Sequence, residues 1–304
     1  MIKEIIDKLV ALLAVSALLA SCSESELWQN PQTEARDGYI MLNFKTEIPA
    51  MQEVVTRAVD PDGGGVQDMT LFCFDSYGLF ISTVKAGVTV QKPGPGEMEG
   101  TFKAEVPENT RTIHFLANQN MDEFKEDSFR NKSESEVMAV LEGSSGRMIY
   151  WGRFACDAGN DSNIAEQMAT SGNSVKLIRN HARISVDNPD NNGHIVITGF
   201  AVCNTNAFGT VAPHHPKKGF DFTWPSSDDP FVTLPVNDAK MSDITDVTSS
   251  MNQYVFECEN SADAPVSVIL RGHLPDQDEE KYYRVLLVDD KGEQLLVRRN
   301  HHYK

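Results

Sequence analysis

Apolar and polar residues alternate along residues 39–48. Ile40, Leu42, Phe44 and Ile48 fall on one face, and Asn43, Lys45 and Glu47 on the other. A period of two is that of a strand with one buried face, and Pro49 stops it. Residues 69–74 and 79–84 are apolar and aromatic runs separated by Asp75-Ser76-Tyr77-Gly78, which predicts a hairpin. Alternation returns in residues 101–106 through Phe102, Ala104 and Val106. Pro107-Glu108-Asn109 turns the chain into a strand over 111–118 that carries Ile113 and Phe115. Residues 175–186 read as one strand with Ala182, Ile184 and Val186 in alternation. Residues 194–203 are apolar on both faces, the pattern of a central strand. Residues 253–258, 266–271, 282–288 and 294–303 close the chain as strands, with Asp289-Asp290-Lys291-Gly292 turning between the last two. Residues 157–174 are polar and predict a loop, and 204–250 predict long loops with one or two short strands.

One segment has helical spacing. Ser133 and Glu136 form the pair needed for a capping box, Val137, Met138, Val140 and Leu141 supply an apolar face, and Gly143 is placed to end the helix. Many short strands with turn signals about every 8–12 residues predict an all-β chain of β-sandwich domains, with this short helix in the first. Length suggests two such domains, 39–180 and 181–304. The triplet Arg179-Asn180-His181 returns as Arg299-Asn300-His301, a faint sign of duplication.

The first residues belong to export rather than to the fold. The apolar run 9–20 is shorter than the roughly 20 residues a membrane-spanning helix needs. It ends in Leu19-Ala20-Ser21-Cys22, the small-residue pattern of a lipoprotein cleavage site. Residues 1–21 are therefore expected to be a signal peptide, with Cys22 the lipid-bearing first residue of the mature protein at a membrane. Glu4 and Asp7 offset Lys3 and Lys8, so the leading segment is only weakly cationic. Residues 22–38 read as an acidic, flexible tether.

A formal charge of −17, from 44 acidic and 27 basic residues, argues against nucleic-acid binding and against docking to anionic lipid. Besides Cys22 there are Cys73, Cys156, Cys203 and Cys258, too far apart for zinc spacing. Three of these lie in apolar runs, as buried free thiols do. No catalytic pattern is present. Gly143-Ser144-Ser145-Gly146 lacks the spacing of a nucleophile elbow, and Gly63-Gly64-Gly65 is not followed by the Lys-Ser/Thr of a phosphate loop. His214-His215 and His301-His302 are adjacent, so on a strand each pair points to opposite faces and makes a poor metal site. The reading is a chain with no cofactor, no metal and no enzymatic activity.

In order, the landmarks resemble the fimbrillin family, the subunits of type V pili. They are Cys22, the strand 39–48, Thr56-Arg57-Ala58, Leu71-Phe72-Cys73-Phe74-Asp75, Gly78-Leu79-Phe80-Ile81 and Ile113-His114-Phe115-Leu116-Ala117-Asn118. The run from Leu177 through Arg179-Asn180-His181 to Val186 follows, then Asn204-Thr205, Gly209-Thr210-Val211-Ala212-Pro213, Tyr282-Tyr283-Arg284-Val285 and Arg299-Asn300-His301-His302-Tyr303. The resemblance implies two transthyretin-like β-sandwich domains and a surface-exposed fimbrial lipoprotein precursor at the outer membrane, serving adhesion. It also implies assembly by donor-strand exchange. An arginine-specific protease cuts between Arg57 and Ala58, the first strand leaves with Ile40, Leu42, Phe44 and Ile48, and the C-terminal strand of another pilus subunit fills the groove. Arg36 is the lesser alternative, because a cut there leaves the strand in place. Family members usually continue past the Arg-Asn-His-His-Tyr strand. Here the chain stops at Lys304, which implies either truncation or a subunit that accepts a strand and donates none. The competing reading is a surface glycan-binding lipoprotein. It calls for a patch of exposed aromatics, and Trp28, Trp151 and Trp224 are scattered.

Overall fold

The computed structural model describes residues 35–49, 52–53, 66–93, 98–122, 124–144, 148–186, 195–215, 218–220, 222–224, 239–240 and 252–304. In the first part of the chain the strands are β1 (Tyr39–Glu47), β2 (Gln52–Glu53), β3 (Met69–Phe74), β4 (Phe80–Lys85), β5 (Gly87–Pro93), β6 (Met98–Pro107) and β7 (Thr112–Ala117). Helix α1 (Glu134–Val140), β8 (Glu142–Ser144), β9 (Tyr150–Ala155), helix α2 (Ile164–Thr170), β10 (Ser174–Lys176) and β11 (Ile178–Arg179) follow. The remainder holds β12 (His181–Ser185), β13 (Val196–Cys203), β14 (Thr205–Asn206), β15 (Phe208–Thr210), β16 (Ala239–Lys240), β17 (Asn252–Phe256), β18 (Ser267–His273), β19 (Lys281–Leu286) and β20 (His301–Tyr303).

Two sheets make the N-terminal half, in the orders β10-β1-β6-β5 and β11-β9-β7-β3-β4. They face each other across one apolar core. Leu42, Phe44, Phe102 and Val106 enter it from the first sheet, Leu71, Cys73, Ile113 and Phe115 from the second, and Ile164 and Met168 of α2 close one side. The outer face of the five-stranded sheet is covered as well. Phe72, Phe74, Leu116 and Trp151 pack under Phe129, Val137, Met138 and Leu141, and under Val211, Ala212, Phe220 and Phe222 from farther along the chain. With both faces covered, β3 and β7 are buried at every position, which is why their sequences are largely apolar and do not alternate. In the C-terminal half the orders are β17-β12-β20-β2 and β13-β18-β19. Ala182, Ile184, Val255 and Tyr303 of the one meet Phe200, Val202 and Val268 of the other.

The chain is mostly β, as the alternation predicts, and the hairpin 69–85 forms in antiparallel register across Gly78, which sits at φ +71°. Helix α1 starts as expected, with both hydrogen bonds of the Ser133–Glu136 capping box in place. Its end differs. The chain leaves the helix at an extended Leu141, Val140 faces solvent, and Gly143 belongs to β8.

Four other expectations are corrected. Residues 157–174 are not all loop: α2 forms there, started by a second capping box of Asn163 and Glu166, so the described part of the N-terminal half has a second short α-helix. The single strand expected over 175–186 is three short ones in three different sheets, β10, β11 and β12. The chain can step between sheets there because β9 offers Gly152, where a Cβ would lie 2.5 Å from the Lys176 carbonyl. Among the described residues strand β13 is an edge, not a centre, although Phe200 to Cys203 are buried as their apolar character requires. Residues 294–303 are strand only from His301 onward; Gln294 and Val297 make isolated bridges to Val288 and Cys258.

Candidate functional site

Strand β1 lies in the middle of its sheet. It pairs antiparallel with β6 from Tyr39↔Pro107 to Thr46↔Gly100, and parallel with β10 from Lys45↔Ser174 to Glu47↔Lys176. Its inward row is sealed: Leu42 is 2% exposed, Phe44 and Thr46 0%, and Ile48 1%, while Ile40 is partly buried against the same core. Phe44 stacks on Phe102 with ring centroids 5.6 Å apart, and meets Phe115 edge-on at 5.0 Å. Thr46 breaks the apolar row, and among the described residues its hydroxyl has no hydrogen-bond partner. Pairing extends past the strand at both ends. Arg36 donates to Glu105 from its backbone at 2.6 Å and from its side chain at 2.8 Å, and this amide bond holds the Glu105 carboxyl below its usual range. The end of the expected tether is thus tied to β6. At the other end Lys45 donates to the Asn173 carbonyl at 2.7 Å, and Leu177 to that of Glu47 at 2.8 Å.

Past Ile48 the chain crosses into the C-terminal half. Pro49 presents its carbonyl to Arg179 Nη1 at 2.6 Å, and β2 then pairs parallel with β20 through Gln52↔His301 and Glu53↔His302. Cys22, Arg57 and Ala58, the expected lipid and cleavage positions, lie outside the described residues, as does the signal peptide.

The crossing point is a buried polar cluster in which the two Arg-Asn-His triplets meet. Arg179 Nη1 also donates to Asn300 Oδ1, and the Asn300 amide donates to the His181 carbonyl at 2.8 Å. Asn180 Oδ1 accepts from the Ile149 amide at 3.1 Å and from His181 Nδ1 at 2.6 Å. Arg299 is paired with Glu257 at 2.9 Å, with side chains 2% and 1% exposed, and it donates to the Val211 carbonyl at 2.8 Å. Burial, helped by the Arg299 charge, pushes the His181 ring down to about 3, so it is neutral here, its ring tilted 32° to that of Phe256 with centroids 4.2 Å apart. Burial alone brings the Arg179 guanidinium down to about 10. Charges out of water need acceptors of good geometry, and these residues supply them across the two halves.

A second polar group lies on the outer face of the five-stranded sheet, and the sequence reading missed it. The Trp151 indole N–H donates to His114 Nδ1 at 3.0 Å. An indole nitrogen only donates, so Nδ1 carries no proton and Nε2–H donates to Glu134 at 2.7 Å. Burial holds His114 below the usual histidine range, which agrees with this neutral tautomer. Burial would raise Glu134, but hydrogen bonds from His114 and from Arg153, at 2.7 and 3.1 Å, outweigh it and bring the carboxyl to about 2. The Phe222 ring caps the group 4.7 Å from His114. His114, Glu134, Trp151 and Arg153 thus satisfy one another's hydrogen bonds in a closed relay. The one available signal was a histidine inside an apolar strand, which needs a buried partner from elsewhere in the chain.

Cys73, Cys203 and Cys258 are buried and Cys156 partly so, all four as free thiols, and burial pushes Cys73 and Cys258 up to about 12. Among the described residues no group of three His, Cys, Asp or Glu is arranged to hold a metal ion, and no helix is long and apolar enough to cross a membrane.

No protein-family model matches the chain, and no curated protein matches its sequence. Solved structures do match in fold. A candidate cell adhesion protein from Parabacteroides distasonis superposes with a TM-score of 0.53 at 15% identity, covering 86% of this chain and 85% of its own. The tip fimbrial protein Mfa3 from Porphyromonas gingivalis, solved with a C-terminal truncation, superposes with a TM-score of 0.50 at 13% identity, covering 86% and 92%. The chain therefore has a fold similar to that of adhesion and fimbrial proteins of these bacteria.

Proposed function

We propose that this protein is a structural subunit of a cell-surface pilus, exported as a lipoprotein acylated at Cys22 and assembled by replacement of its first strand. In this reading its two halves are transthyretin-like sandwiches. An arginine-specific protease cuts between Arg57 and Ala58, and the fragment that leaves carries β1 and β2. A strand from another subunit then fills the groove at the outer membrane. The observation that carries the reading is the place of β1: an N-terminal strand seated in the middle of a sheet, with Leu42, Phe44 and Ile48 sealed in the core. Removing it exposes the facing edges of β6 and β10 and a row of apolar pockets, and such an edge is filled by strand addition. The likeness to a fimbrial tip protein adds weight. The test is the N-terminus of the protein isolated from the outer membrane of its native host, read by mass spectrometry. An unmodified Ala58 is the expected result. An acylated Cys22 with β1 still attached refutes strand replacement for this subunit.

A further inference from the structure

β1 and β2 are stretches of one chain laid across both halves of the molecule, and Pro49, the last described residue before β2, is held by the Arg179 guanidinium. Arg179 comes from β11 in the N-terminal half, and Asn300 immediately precedes β20 in the C-terminal half. Arg179 Nη1 donates both to Asn300 Oδ1 and, at 2.6 Å, to the Pro49 carbonyl of the crossing strand. The side chain is buried, with the Tyr150 ring centroid 6.0 Å from its central carbon. If the first strand is replaced, as proposed above, Pro49 leaves with it, and so does one acceptor of a buried cation.

We propose that Arg179 is a register clamp for whichever strand occupies this groove: the incoming strand seats one backbone carbonyl on its guanidinium where Pro49 sits now. The partner this defines is an extended segment with apolar side chains at the alternate spacing of Leu42, Phe44 and Ile48, and a free carbonyl one residue beyond the last of them. Inward pockets at a period of two fix the register only weakly, because a strand that slips by two residues keeps the same face inward and only Thr46 interrupts the apolar row. The cation removes that freedom. A slip of two residues moves a carbonyl by roughly 6.6 Å, beyond hydrogen-bond reach.

The inference rests on strand replacement, and the experiment separates the two. Purified precursor is cut with an arginine-specific protease, the N-terminal fragment is stripped in mild denaturant, and the groove is offered one of two synthetic peptides. One spans residues 39–49 as the carboxamide. The other ends at Ile48 as its pyrrolidine amide, which keeps the proline ring and lacks the Pro49 carboxamide and with it the carbonyl. A bond from a charged donor predicts ~10- to 100-fold weaker binding of the second peptide. In Arg179→Met the two peptides are expected to bind within about threefold of each other. Equal binding of both peptides to the wild-type protein overturns the clamp and leaves strand replacement standing, whether or not the Met variant folds. A cut protein that accepts neither peptide overturns strand replacement and the clamp with it.

Discussion

Replacing Phe44 with Ala tests how firmly the first strand is held and whether it leaves. The ring is 0% exposed and lies 5.6 Å from Phe102 and 5.0 Å from Phe115. Those neighbours are fixed in the β6 and β7 ladders, so the space left by the ring cannot collapse. Truncating a buried Phe costs about 3–5 kcal/mol, and a rigid cavity puts the value near 4. In urea, with a slope of about 2 kcal/mol/M, the unfolding midpoint of the uncut precursor is expected to fall by about 2 M. The assay is denaturation followed by circular dichroism, before and after cleavage at Arg57 and removal of the released fragment. Before cleavage the variant is weaker by the full amount. Afterwards the two proteins have the same sequence from Ala58 onward, and their curves are expected to coincide. A loss below about 1 kcal/mol in the precursor refutes the claim that this ring anchors β1. A difference that persists after cleavage and washing shows that the strand stays bound, which removes the basis for replacement.

Two further outcomes follow from the junction cluster. His181 is neutral in the fold down to about pH 3, whereas an unfolded histidine takes up its proton near 6.5. Through that window the unfolded state binds more protons, so stability falls as pH falls, by about 1.4 kcal/mol per unit inside the window. His181→Gln is expected to flatten this slope between pH 6 and 4.5 in the stability–pH profile; His114, also depressed, adds a slope of the same sign, and an unchanged profile in His181→Gln refutes the assignment. Glu134 acts lower, where its contribution is lost from about pH 4.5 toward 2. Glu257→Gln leaves the buried Arg299 charge without its counter-charge and is expected to cost about 3–5 kcal/mol by thermal or chemical unfolding, whereas the double change Glu257→Gln, Arg299→Met recovers a large part of it. A double variant no more stable than Glu257→Gln contradicts the charge-pair account.

The sequence revealed what periodicity controls and hid what depends on distant partners. β1 was legible because one of its faces is buried against a core, which imposes alternation; Thr46 was overlooked because a threonine on an apolar row breaks the pattern without breaking the strand. Helix α1 and helix α2 carry the same kind of start signal, Ser133 with Glu136 and Asn163 with Glu166. The second reads as loop because polar residues surround its few apolar positions. The break of 174–185 into β10, β11 and β12 has no turn residue to announce it. Each piece takes a different neighbour, and the short side chain that lets them cross, Gly152, stands more than twenty residues earlier. The relay of His114, Glu134, Trp151 and Arg153 is assembled from α1, β7 and β9, so local pattern could not give it.

The repeated Arg-Asn-His triplet was visible as a repeat but not as a junction. In the fold, β12 and β20 run parallel and adjacent, so the residues just before each strand are brought to one place, where the two sheet systems meet and the first strand passes. A charged triplet at that place is expensive to bury. It is held only because each charge finds a partner from another segment: Arg299 in Glu257, Arg179 in Asn300 and in the Pro49 carbonyl. That dependence ties the two halves and the first strand together at one buried cluster. An event that withdraws the strand therefore acts on the junction between the halves as well as on the groove in the first, and a replacement strand that satisfied only the apolar pockets would leave the junction weaker than it is now.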